Sequence, residues 1–129
     1  MSSPAPLPEE ICRSAQRGEL QKVVKWLRKG GRVDALGSRA TSDGRTSSIT
    51  LLHTAASNGH LAMVRELLKR GASVDLQSSL GFTALMNAAG YGHSSIVLIL
   101  LQHSANIDLQ DTTGSTALMV AADYGSRRA

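Results

Sequence analysis

Glycines recur at Gly59, Gly92 and Gly125, 33 residues apart. A fixed period of that size means stacked copies of one supersecondary unit, and it constrains the fold more than any other feature of the chain. The clearest copy runs from Gly81 to Asp108. Its first part, ending in Ala88-Ala89-Gly90-Tyr91-Gly92-His93, reads as a short capped helix with small residues on one face. Its second part, from Ser94 to Asp108, reads as an apolar helix. Turns separate and follow the two. A pair of short helices cannot bury its apolar face alone, so neighbouring copies must cover it and the whole becomes an elongated, curved slab.

The residues within the period resemble a known pattern. Thr83-Ala84-Leu85-Met86, Ala88-Ala89 and Gly92-His93 are similar to the ankyrin-repeat signature Thr-Pro-Leu-His-x-Ala-Ala-x-x-Gly-His. The copy before has Thr50-Leu51-Leu52-His53, Ala55-Ala56 and Gly59-His60, and closes on Leu67-Leu68, Gly71-Ala72 and Val74-Asp75. The copy after has Thr116-Ala117-Leu118-Met119, Ala121-Ala122 and Gly125. The resemblance implies an all-α ankyrin-repeat solenoid of stacked helix-turn-helix units with hairpin-like turns. It also implies a protein-protein interaction module, an adaptor or scaffold, rather than an enzyme.

Taken in order, residues 1–8 hold three prolines and only Leu7 as an apolar anchor, so a mobile tail is expected. Residues 9–34 form an N-terminal capping repeat. Leu20, Val23 and Leu27 share one helical face there, while Lys22 and Lys25 stand where inner copies are apolar. Trp26 is read as core. Gly18 to Gly59 spans 41 residues, eight more than the period. The surplus falls in 35–49, an inserted loop rich in turn formers, either simply mobile or a contact loop carrying Arg39 and Arg45. Regular repeats follow at 50–75 and 76–108, with Thr50 placed to cap a helix and Gly71 to end one. In the second of these Met86 replaces the His of the pattern, Ser104 replaces the terminating Gly, and Leu98 faces outward. Residues 109–129 start a further repeat with a helix from Thr116 to Tyr124 and stop after Gly125 without a second helix. Parts of Ile96, Ile99 and Leu100 are then expected to be less covered, which implies an excised fragment, a shortened isoform, self-association or a frayed end.

Composition narrows the chemistry. With 42% hydrophobic but 3% aromatic residues, the core must be built from Ala, Leu, Val and Ile. The longest apolar run, Ile96 to Leu101, is far too short to span a bilayer. Met1 to Pro8 lacks the apolar and basic parts of a secretory signal. The single Cys12 cannot form an internal disulfide and reads as a packed thiol in a reducing compartment, cytoplasm and/or nucleus. His53, His60, His93 and His103 have no Cys or second His at ligand spacing, so neither metal nor cofactor is expected. No nucleophile-elbow or phosphate-cradling motif occurs.

The net charge of +4 is uneven. Arg13, Arg17, Lys22, Lys25, Arg28, Lys29, Arg32, Arg39 and Arg45 lie among three acids, giving +6 over that stretch and −2 elsewhere. Such a basic patch can steer an acidic partner. Nucleic acid is disfavoured by the scarcity of stacking aromatics and of known motifs. The resemblance places recognition at hairpin tips and first helices: Ile49, Ser57 and Asn58; Ser79, Leu80, Phe82, Asn87 and Tyr91; Thr113, Ser115, Val120, Asp123 and Tyr124. Phe82 with Leu80 is the candidate anchor, read against packing on the neighbouring hairpin, and Tyr91 with Tyr124 the candidate ledge. The expected partner is another protein, with an acidic segment as one option. The alternative is a targeting or regulatory fragment that binds an anionic surface through the basic first repeat.

Overall fold

The computed structural model describes residues 5–128. Residues 1–4 of the expected mobile tail, and the last residue, lie outside the described part. Three helical pairs and a final helix follow one another: α1 (Glu9–Arg17), α2 (Leu20–Arg28), α3 (Leu51–Ser57), α4 (Leu61–Lys69), α5 (Ala84–Gly90), α6 (Ser94–Gln102) and α7 (Ala117–Arg128). Between α2 and α3 lie β1 (Gly37–Ala40) and β2 (Thr46–Ile49), an antiparallel hairpin. The first helices stack in a row, α1 on α3, α3 on α5 and α5 on α7, and α4 stacks on α6 behind them.

Small residues allow this close stacking. Ala15, Ala55, Ala56 and Ala88 are fully buried between helices, with Leu51, Met63, Val64, Leu67, Met86, Ile96 and Leu100 filling the spaces. Thr50 caps α3 by accepting from the His53 N–H, and Thr83 caps α5 by accepting from the Met86 N–H at 3.2 Å. His53 also accepts from the Thr50 N–H at Nδ1 (3.1 Å) and donates from Nε2 to the Phe82 carbonyl (2.8 Å), which ties one repeat to the next. Met86 is buried in the equivalent place without that bond.

A second set of rings locks the stack. A Cβ on Gly18 would lie 2.8 Å from the His60 ring, and one on Gly59 2.8 Å from the His93 ring. Each histidine also donates from Nε2 to a carbonyl of the preceding repeat, His60 to Gln16 at 2.7 Å and His93 to Ser57 at 3.0 Å. Over Gly92 the covering ring is Tyr124. Asp34 accepts from the N–H and hydroxyl of Ser73, and Asp75 from the Asn106 N–H at 2.7 Å, so the outer turns are joined as well.

Several expectations are corrected. Leu7 is buried, its N–H donates to the Leu36 carbonyl at 2.9 Å, and the described part of the tail is therefore docked. Residues 35–49 are not an irregular loop, because most of the insertion pairs as β1 and β2. Trp26 is half-buried, laid over Gly31. Helix α7 does not stop at Tyr124 but runs through Gly125 to Arg128. Ile96 and Leu100 are buried; the apolar side chains exposed toward this end include Leu118 (71% exposed), Met119, Leu98, Ile107 and Leu101 (40%), with Ile99 half-buried. Ser104 does adopt a positive φ of 65° where its earlier counterpart is Gly71.

Candidate functional site

Hairpin tips and first helices enclose an open groove of about 910 Å³. The tips are joined in series. The Ser79 N–H donates to the Ser48 carbonyl at 3.2 Å, Ser79 Oγ accepts from the Ser48 N–H at 2.9 Å, and the Thr112 N–H donates to the Leu80 carbonyl at 3.0 Å. Gly81 makes the second junction possible: its φ is 85°, and a Cβ there would lie 2.8 Å from the Asp111 backbone. Asp111 holds the last tip by accepting from Thr113 and Ser115 N–H groups. Partial burial raises its pKa, but the bonds from Thr113, Ser115 and Gly114 outweigh this and leave it below the ordinary 3.8.

Of the sequence-derived residues, Ile49, Ser57, Leu80, Phe82, Asn87, Tyr91, Ser115, Val120, Asp123 and Tyr124 line this groove. Asn58, Ser79 and Thr113 do not. Asn58 donates its side-chain amide to the Thr54 carbonyl, Ser79 is the bridge to β2, and Thr113 belongs to the Asp111 turn. Ile49 is buried in the groove floor. Phe82, the candidate anchor, is half-buried against the core and also lines the groove. Tyr91 is 57% exposed, with its ring centroid 6.4 Å from that of His93. Tyr124 is half-buried over Gly92, so it serves the stack as well as the ledge.

Sequence reasoning missed Thr41, Ser42, Met86 and Met119 in the groove lining. Thr41 and Ser42 enter only because the insertion folds back as a hairpin. Met86 and Met119 occupy the signature His position, where the pattern alone does not show that the side chain reaches the groove. The basic patch is divided among elements: Arg13 and Arg17 on α1, Lys22, Lys25 and Arg28 on α2, Lys29 and Arg32 in the turn beyond, Arg39 and Arg45 on the hairpin. Only Arg39 lines the groove. Arg13 pairs with Glu9 at 2.7 Å, Lys22 with the half-buried Glu19 at 3.3 Å and Arg45 with Asp43 at 3.6 Å; each has an exposed cation, so each pair contributes little to stability.

His53 and Cys12 are both perturbed by burial. Burial holds the His53 pKa below the ordinary 6.5, and its two bonds fix the neutral tautomer with the proton on Nε2. Burial, then the nearby Glu9 carboxylate, raises the Cys12 thiol above the ordinary 9.0, which suppresses the reactive thiolate. Among the described residues no cluster of His, Cys, Asp and Glu could hold a metal ion, and no helix is long and apolar enough to cross a membrane.

A family model described as ankyrin repeats (3 copies) matches residues 11–111 and 52–129. Ankyrin repeats are generally protein-protein interaction modules. The rows of small buried residues, the ring-over-glycine locks and this match together establish that the chain belongs to the ankyrin-repeat family.

Proposed function

We propose that the chain is a non-enzymatic recognition module that grips a segment of another protein in the groove between its tips and first helices. The observation that carries this reading is the groove's lining: Leu80, Phe82, Tyr91, Val120 and Met119 supply apolar and aromatic surface, and Ser57, Ser78, Asn87 and Ser115 supply polar groups. Apolar anchors beside hydrogen-bonding groups are the usual makeup of protein interfaces. The groove is preformed by the stack, so little ordering is required on binding. The test is affinity capture with the whole chain beside a Phe82→Ala/Tyr91→Ala variant, with mass spectrometry of what is retained. Proteins held by the parent chain and lost by a folded variant support the reading. An unchanged set removes it.

A second reading rests on a different observation. Lys25, Arg28, Lys29 and Arg32 are exposed and, among the described residues, form no ion pair. They could hold an anionic surface, an acidic protein, lipid or nucleic acid, away from the groove. That mode requires steep loss of binding with salt and with Lys25→Glu/Lys29→Glu.

A further inference from the structure

We propose that the outer edge of β1 is a docking edge for an extended, acidic segment of a partner protein, which adds to the hairpin as a third strand. In an antiparallel pair, opposite residues alternate between those that bond each other and those whose N–H and C=O point away. The register pairs Ser38 with Ser48, Arg39 with Ser47 and Ala40 with Thr46. Ser48 spends both its N–H and its carbonyl on Ser79, on the side away from β1. Ser38, opposite Ser48, therefore points its own N–H and carbonyl outward, and so does Ala40. The Thr41 N–H bond to the Arg45 carbonyl at 2.8 Å and the Leu7 bond to the Leu36 carbonyl fit the same alternation. Among the described residues nothing bonds to the outward groups of Ser38 and Ala40, and both residues are exposed. The inner edge of the hairpin is thus joined to the stack, while the outer edge offers two donors and two acceptors to an added strand.

Charge names the occupant. Arg39 lies between the two outward residues, exposed and without an ion pair among the described residues, whereas Arg45 is held by Asp43. A strand added to β1 places a side chain opposite Arg39 on the same face, where an acidic residue makes a favourable cross-strand pair. Ser38 and Ala40 are small and exposed, so neither side chain crowds an added strand. The basic excess of the surrounding stretch favours approach of the same acidic segment. Arg39 and Ala40 also line the groove, but the outward N–H and carbonyl groups of this edge stand whether or not the groove binds a partner.

The probe is a short blocked peptide of alternating Thr and Val with a central Glu, compared with its Lys counterpart and with a form N-methylated on one edge. Amide hydrogen exchange of the whole chain is followed by NMR. At saturating Glu peptide, exchange at Ser38 and Ala40 should slow by about tenfold or more, and neither control should do this. Ser38→Pro removes an outward N–H without touching the β1–β2 bonds and should abolish the protection. Phe82→Ala should leave it unchanged. Arg39→Glu should transfer the preference to the Lys peptide, an outcome that misfolding would not give. Absence of protection with the Glu peptide, or protection that survives Ser38→Pro, overturns the proposal. Protection that grows with protein concentration alone assigns the edge to a second copy and overturns it equally.

Discussion

Replacing Gly59 by Ala should destabilise the stack through its neighbour His93, and the effect can be separated into two parts. Gly59 has φ 75°, a conformation that costs an L-residue about 1–2 kcal/mol. The new Cβ would also lie 2.8 Å from the His93 ring, whose Nε2 bond to the Ser57 carbonyl holds it in place. Displacing the ring forfeits that bond and its packing, about 1–3 kcal/mol when the carbonyl is left without a partner. The single change should therefore cost about 2–5 kcal/mol. His93→Ala alone should cost about 1–3 kcal/mol for the lost bond and packing. In the double variant the clash no longer exists and the ring is lost only once. The two changes should then fall short of additivity by about 1–3 kcal/mol. Urea denaturation of the four proteins, with slopes compared to confirm a common unfolding transition, gives the coupling directly. Additive costs within a few tenths of a kcal/mol would refute the ring-over-glycine lock.

Two further outcomes are expected. Ser104→Gly removes left-handed strain of about 1–2 kcal/mol at the cost of some unfolded-chain entropy, so thermal unfolding should shift upward by a few degrees, and an unchanged or lower midpoint would contradict it. His53 has a folded pKa below its ordinary value, so the unfolded chain takes up a proton that the folded chain refuses. Its contribution is complete above pH 6.5 and is lost as pH falls through the folded pKa. His53→Met, which copies Met86, should flatten the pH dependence in that window in urea melts; an equal slope in both proteins would remove His53 as the cause.

The parts of the fold set by local pattern were legible in the sequence. Thr50 and Thr83 announce helix starts, the paired alanines announce close stacking, and Ser104 marks a turn that must be left-handed because Gly71 stands there one period earlier. The parts set by distant contacts were not. Gly37–Ala40 and Thr46–Ile49 lack the apolar alternation of strands, and their order depends on Ser79, about thirty residues away. Leu7 docks because folding brings Gly37 and Leu36 beside it. The continuation of α7 through Gly125 has a physical reason as well. After Gly92 comes His93, whose ring closes over Gly59; after Gly125 comes Ser126, which has no ring to hold such a turn, and Tyr124 covers Gly92 instead. Along the first helices the period fixes which side chains face the groove. At Asn58, Ser79 and Thr113 the side chains are instead taken up by local or inter-tip bonds, which no periodic pattern encodes.

The most direct measurement is the affinity of a captured partner for the parent chain, for Tyr91→Ala and for Lys25→Glu/Lys29→Glu, each at low and high salt. Recognition by the groove requires that Tyr91→Ala weaken binding by about tenfold or more while charge reversal changes it little beyond the association rate. Full affinity for the Tyr91 variant, together with collapse on charge reversal and in high salt, would contradict it.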